Sequence, residues 1–211
     1  MRSRLLLVAV VVLLALGLWS LMRRNRAPHW DIRNLPVGDG PILCFGDSLV
    51  EGVGASSEST TYPAQLEQRL GRQVVSCGVS GRTAAEGAQA LAEQPDLQGA
   101  LAIVTLGGND LLRRTPLGET RAALEEVFRT LQARGCVVAY TEVLGVVPGE
   151  RARMHRQLCR RLGVILIPDV LDGIVRHDDL LSDSVHPNDA GYALLAERVA
   201  AALRPYLEGR R

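Results

Sequence analysis

Lysine is missing altogether from this 211-residue chain, so its 24 basic side chains are all arginines. That absence excludes a Schiff-base lysine, a pyridoxal-phosphate enzyme, a P-loop NTPase and a lysine general base. Aromatic residues are scarce, with two Trp, four Tyr and two Phe, too few to line a long polysaccharide groove. The four cysteines, Cys44, Cys77, Cys136 and Cys159, show no C-x-x-C spacing. They read as buried free thiols rather than as zinc ligands. No low-complexity tract or internal repeat interrupts the chain, and the length suits one domain with a sizeable core.

What is present is unevenly spread. Apolar residues make up 47% of the chain, and a continuous apolar run from Leu5 to Met22 is broken only by Ser20. Arg2 and Arg4 precede it, and Arg23, Arg24 and Arg26 follow. Eighteen helical residues span about 27 Å, enough for a thin bilayer core. Residues 1–24 are therefore expected to be a transmembrane helix that anchors the protein in a membrane, with 25–40 as a linker rich in Pro and Gly. A cleaved signal peptide is the alternative, but Trp19-Ser20-Leu21-Met22-Arg23 offers a poor cleavage site. Arginines on both flanks leave the positive-inside bias weak. Without residues 1–26 the chain carries 19 positive and 23 negative charges, so nothing points to nucleic acid as a partner.

From residue 41 onward, apolar strands alternate with helices. Strands are predicted at Pro41–Phe45, Gln73–Cys77, Ala100–Leu106, Cys136–Val143 and Val164–Ile167. Helices are predicted at Tyr62–Leu70, Thr83–Gln94, Glu119–Arg134 and Glu150–Leu162, with a last one from about Asn188 that fades near Pro205. In the third, Leu124, Val127, Phe128 and Leu131 repeat at helical spacing. This order implies an α/β domain over 41–208: a parallel sheet covered on both faces, a three-layer α/β/α sandwich. Ligands of such sheets bind at the carboxyl ends of the strands.

Chemistry-bearing residues stand at those ends. Gly46-Asp47-Ser48-Leu49 follows the first strand, Gly78-Val79-Ser80-Gly81 the second, and Gly107-Gly108-Asn109-Asp110 the third. Asp183-Ser184-Val185-His186-Pro187 precedes the last helix. Any one of these alone is ordinarily a turn or a helix cap. Together they supply a hydroxyl nucleophile (Ser48), a base (His186) and a carboxylate to orient it (Asp183), as nucleophilic catalysis requires. Glycines and the Asn109 amide can bring N–H groups to an oxyanion. Of the four histidines, His29 lies in the linker and His155 falls among arginines, which suggests a solvated helix face. His177, in an acidic loop, is the competitor for the base; Asp172, Asp178 and Asp179 compete with Asp183 as orienting acid.

These blocks, in this order, resemble the SGNH hydrolases, the GDSL-type esterases, over about Pro41 to Leu207. Gly52-Val53-Gly54-Ala55 and Thr61-Tyr62-Pro63-Ala64 are similar to the segment after the nucleophile in the bacterial arylesterase and acyl-thioesterase I/lysophospholipase subgroup. The resemblance implies a flavodoxin-like five-stranded sheet of order 2-1-3-4-5. It implies Ser48, Asp183 and His186 as a catalytic triad. It implies the Ser48 N–H, the Gly81 N–H and the Asn109 side chain as oxyanion donors. It implies hydrolysis of aryl or acyl esters, thioesters or lysophospholipids with no metal or organic cofactor, and a periplasmic catalytic domain on the bacterial inner membrane. Members of this kind often carry a cleavable signal peptide, and the apolar segment here looks retained. Leu111, Leu144 and Val146 are candidates for an acyl pocket. Two other functions remain open: a carbohydrate O-acetylesterase of the cell envelope, and a catalytically silent, membrane-tethered binding module.

Overall fold

A computed structural model describes residues 30–143 and 149–209. The expected membrane segment and His29 lie outside the described residues, as do Leu144 and Val146. Among the described residues no helix is long and apolar enough to cross a membrane.

Five short strands form one parallel sheet in the order β2-β1-β3-β4-β5. They are β1 (Ile42–Gly46), β2 (Val74–Gly78), β3 (Leu101–Thr105), β4 (Val137–Thr141) and β5 (Ile165–Ile167). The order expected from the family resemblance is the one observed. The helices are α1 (Ser48–Glu51), α2 (Tyr62–Leu70), α3 (Ala84–Glu93), α4 (Gly108–Leu112), α5 (Leu117–Ala133), α6 (Glu150–Leu162) and α7 (Asp189–Leu207). α7 does not fade at Pro205 but continues through it to Leu207.

Strands buried on both faces must be apolar at every position, and β1, β3 and β4 are buried along their whole length. Alternation along each strand then divides the core into two. Ile42, Ile103 and Ala139 pack under α2 and α7 with Tyr62, Leu66, Tyr192 and Val199. Leu43, Phe45, Val104 and Val138 pack under α3, α5 and α6 with Leu91, Phe128, Leu131 and Leu158.

Residues 30–40 form no helix or strand, but they are docked rather than free. The Trp30 indole N–H donates to the Val164 carbonyl at 3.0 Å. The Asn34 amide donates to the carbonyls of Gln132 and Cys136, each at 2.9 Å. Ile32, Leu35 and Val37 pack against the core.

The strand register sets the site. Gly46 lies opposite both Gly78 and Thr105, so the segments that follow β1, β2 and β3 emerge at one edge. A side chain at Gly78 would sit 2.1 Å from the Glu51 nitrogen, so glycine is what lets α1 lie against the end of β2.

Candidate active site

Asp47 begins the site. Its side chain caps α1, accepting from the Leu49 N–H at 3.1 Å. That places Ser48 as the first helical residue, whose N–H has no acceptor within the helix. The Ser48 side chain opens into a cavity of about 430 Å³.

The opposite wall comes from the loop before α7. Leu181 bridges Pro187, and His186 returns its carbonyl to the Ser182 N–H at 2.9 Å, so the segment between them forms a closed turn. Within it, Asp183 Oδ1 accepts the N–H groups of Val185 and His186, both at 2.8 Å. Asp183 Oδ2 lies 2.7 Å from His186 Nδ1, and His186 Nε2 lies 3.0 Å from Ser48 Oγ. A carboxylate can only accept, so Nδ1 carries a hydrogen and Nε2 is the atom free to take the serine proton. The ring hydrogen bond and the two backbone N–H groups hold the Asp183 carboxyl down at about 2, well below the usual carboxylate range. The three predicted triad residues, separated by 138 positions at the extremes, meet in one chain of hydrogen bonds.

The two other described histidines fall elsewhere. His177 is exposed and faces Asp179 at 4.0 Å, which removes it as a competing base. His155 is not on a solvated face. It is 1% exposed, within a buried stripe of α6 that also holds Met154, Leu158, Cys159 and Leu162. Arg153, Arg156, Arg160 and Arg161 crowd its sequence neighbourhood but are exposed.

Asn109 is carried by α4, whose cap, Gly107, has φ of 98°. Glycine adopts this left-handed backbone freely, and here it turns the chain sharply from β3 into α4. The Asn109 amide nitrogen lies 3.1 Å from the Arg82 carbonyl and 3.3 Å from Asp47 Oδ2. It thereby ties together the loops after β1, β2 and β3. Gly81 lines the same cavity. Its carbonyl accepts from Arg113 at 2.8 Å, and Arg113 is paired in turn with Glu86.

Asp47 is legible in the sequence only as part of the G-D-S motif; its double role as cap and as acceptor for Asn109 emerges from the fold. Burial raises its carboxyl to about 6, offset in part by the backbone N–H bonds it accepts. A raised carboxyl favours the fold most at low pH. This contribution is lost as pH rises from about 4 to about 6, and above that range the buried anion remains as the acceptor for Asn109. Asp110, 1% exposed, has no role that the G-G-N-D motif alone would assign: it accepts the Ala84 N–H at 2.9 Å and joins α4 to the start of α3.

One wall of the cavity is apolar. Leu111, expected there, lines it, together with Leu49, Leu112, Val143, Leu171, Val175 and Val185. Leu112 is 65% exposed at the mouth. The cavity therefore sets the Ser48 hydroxyl, the His186 ring, Gly81 and Asn109 beside a surface suited to an alkyl or aryl group.

A family model, the GDSL-like Lipase/Acylhydrolase family, matches residues 44–194. Esterase TesA of Pseudomonas aeruginosa is 29% identical over 185 residues, covering 79% of this chain and 89% of the relative. Thioesterase 1/protease 1/lysophospholipase L1 of Escherichia coli is 27% identical over 177 residues, covering 78% and 83% respectively. Among solved structures, AlinE4, an SGNH-hydrolase family esterase, is 31% identical with a TM-score of 0.62, covering 82% of this chain and 97% of that one.

Proposed function

The chain belongs to the GDSL-like lipase/acylhydrolase family and is an ester-hydrolysing enzyme, and from that premise we propose that it cleaves carboxylic esters and thioesters with apolar acyl groups through an acyl-enzyme on Ser48. The observation that carries this reading is the 3.0 Å contact between Ser48 Oγ and a His186 ring already oriented by Asp183, beside an apolar wall.

His186 Nε2 takes the Ser48 proton as Oγ attacks the acyl carbon. The carbonyl oxygen becomes an oxyanion, met by the Ser48 N–H, the Gly81 N–H and the Asn109 amide, which exchanges its longer bond, the 3.3 Å one to Asp47, for one to the oxyanion. Collapse expels the alcohol or thiol, protonated by His186, and leaves the acyl group on Oγ. Water then gives a proton to Nε2 and attacks the ester. A second oxyanion forms and collapses, Oγ regains its proton, and the free acid leaves.

The relatives' names, esterase and thioesterase/lysophospholipase, support this substrate class. A sugar-acetate specificity is disfavoured by the leucines and valines of the wall. The test is a hydrolysis panel of p-nitrophenyl esters of rising acyl length, acyl-CoA, lysophospholipid and acetylated sugars. Each buried methylene contributes about 0.8 kcal/mol, so kcat/KM rises about fourfold per added CH₂ until the cavity is full. Turnover confined to acetylated sugars would overturn the acyl preference.

We further propose that the apolar segment 5–22, flanked by arginines, anchors the enzyme in the bacterial inner membrane with its catalytic domain in the periplasm. A phosphatase fused after Arg211 should be active, and the fusion should stay with the membrane at full length. Activity only from a cytoplasmic reporter would reverse the orientation, and a shortened soluble product would show cleavage instead.

A further inference from the structure

Behind the oxyanion loop lies a polar set that the reaction does not touch. Glu142 follows β4, His155 projects from α6 and Tyr140 lies in β4; all three are buried. His155 Nδ1 is 3.0 Å from Glu142 Oε1, and Nε2 is 3.3 Å from the Tyr140 hydroxyl. The rings of Tyr140 and His155 meet edge to face with centroids 5.1 Å apart. The Tyr140 hydroxyl donates to the Leu106 carbonyl at 3.0 Å.

Packing alone does not require these groups. Phenylalanine at position 140 would keep the same edge contact that Tyr140 makes with Phe128, and any apolar residue would serve the α6 stripe at 155. Buried polar groups are unfavourable unless bonded, and among the described residues the chain of bonds has one outlet. It ends on the Leu106 carbonyl, immediately before Gly107, the cap of α4, and three residues before Asn109. A side chain added at Gly107 would lie 3.3 Å from the Tyr140 hydroxyl, so the turn rests directly on it.

We propose that Tyr140, held by His155 and Glu142, is a positioning residue for Asn109: its hydroxyl pins the Leu106 carbonyl and fixes the turn from which the Asn109 amide is aimed at the oxyanion. The inference rests on Asn109 acting as an oxyanion donor. A misplaced donor loses part of its effect on a transition state while leaving ground-state binding intact.

The test is a double-mutant cycle in the full chain, read by kcat and KM on p-nitrophenyl butyrate and by the rate at which a fluorophosphonate labels Ser48. Asn109→Ala lowers kcat by about 10²–10³. Tyr140→Phe lowers kcat by about tenfold with KM within about twofold, and the double variant falls no further than Asn109→Ala alone. His155→Gln, which reaches the same hydroxyl from the other side, gives a smaller loss that also vanishes in the Asn109→Ala background. Labelling slows in parallel. Full kcat in Tyr140→Phe, or a loss repeated at full size without Asn109, overturns the positioning role. A wild-type enzyme that hydrolyses no ester, yet is labelled more slowly after Tyr140→Phe, sinks the ester reading and keeps this one; a wild type neither active nor labelled sinks both.

Discussion

Replacing Ser48 with alanine should lower kcat by about 10⁴–10⁶ and abolish labelling by a fluorophosphonate, while the thermal midpoint moves little. The size follows from the proposed covalent step. Without Oγ no acyl-enzyme forms, and His186 is left to activate water with no nucleophile between it and the acyl carbon. The oxyanion donors survive, because two are backbone N–H groups and the third belongs to Asn109, so the residual rate stays above that in water. The fold should survive too. Asp47, not Ser48, caps α1, and the lost hydroxyl faces the cavity, where water can serve His186 Nε2 in its place. Removing one such bond costs about 1 kcal/mol. The losses should also fail to add: Ser48→Ala with His186→Ala should be no slower than either alone, since both act in one proton transfer. Steady-state hydrolysis of p-nitrophenyl butyrate with a parallel melting curve checks this. More than a few per cent of wild-type kcat in Ser48→Ala would mean the nucleophile lies elsewhere.

The hydrogen-bonded set of Ser48, His186 and Asp183 is legible in the amino-acid sequence because each member sits at a strand end or a helix entry, where an α/β sheet concentrates its chemistry. Asp183 and His186 stand three residues apart in one loop, and the turn that joins them is closed by the Asp183 side chain itself. Strand positions are legible for a related reason: residues buried on both faces leave uninterrupted apolar runs, as in Leu101–Thr105. The cavity wall is not. Leu171 and Val175 come from the segment after β5 and Val185 from the tip of the His186 loop. Nothing in their local sequence separates a residue that lines a cavity from one that packs in the core. His155 is obscured differently. Five arginines between positions 151 and 161 suggest a solvated helix, but Met154, Leu158 and Leu162 at intervals of four trace a buried stripe to which His155 is adjacent. The docking of residues 30–40 leaves no local signal because it depends on side chains reaching the far carbonyls of Val164, Gln132 and Cys136. In each case the missing information is which distant segment lies opposite, which only the assembled sheet supplies.

Asp183→Asn should lower kcat by about 10³–10⁴ at neutral pH with little change in KM. The two backbone N–H groups of Val185 and His186 donate to Asp183 Oδ1, so an asparagine keeps its carbonyl oxygen there and preserves the turn. Its amide nitrogen then falls at the Oδ2 position, 2.7 Å from His186 Nδ1. Two donors cannot face each other, so the ring must place its hydrogen on Nε2 and leave Nδ1 to accept. That is the tautomer that cannot take a proton from Ser48. The substitution therefore reverses the ring's proton geometry without moving its atoms, and it also removes the anion that stabilises the imidazolium formed during attack. A second readout separates this from a folding defect. The Asp183 carboxyl is held at about 2 against an ordinary value near 3.8, so its contribution to stability is full above about pH 4 and fades as pH falls toward 2. The difference in thermal midpoint between wild type and Asp183→Asn should be small at neutral pH, because Asp183 is half exposed. The carboxyl's share of it should be lost below about pH 4, whereas the loss in kcat is already complete at neutral pH. An Asp183→Asn enzyme retaining a tenth or more of wild-type kcat at neutral pH would show that the ring is oriented by something other than this carboxylate.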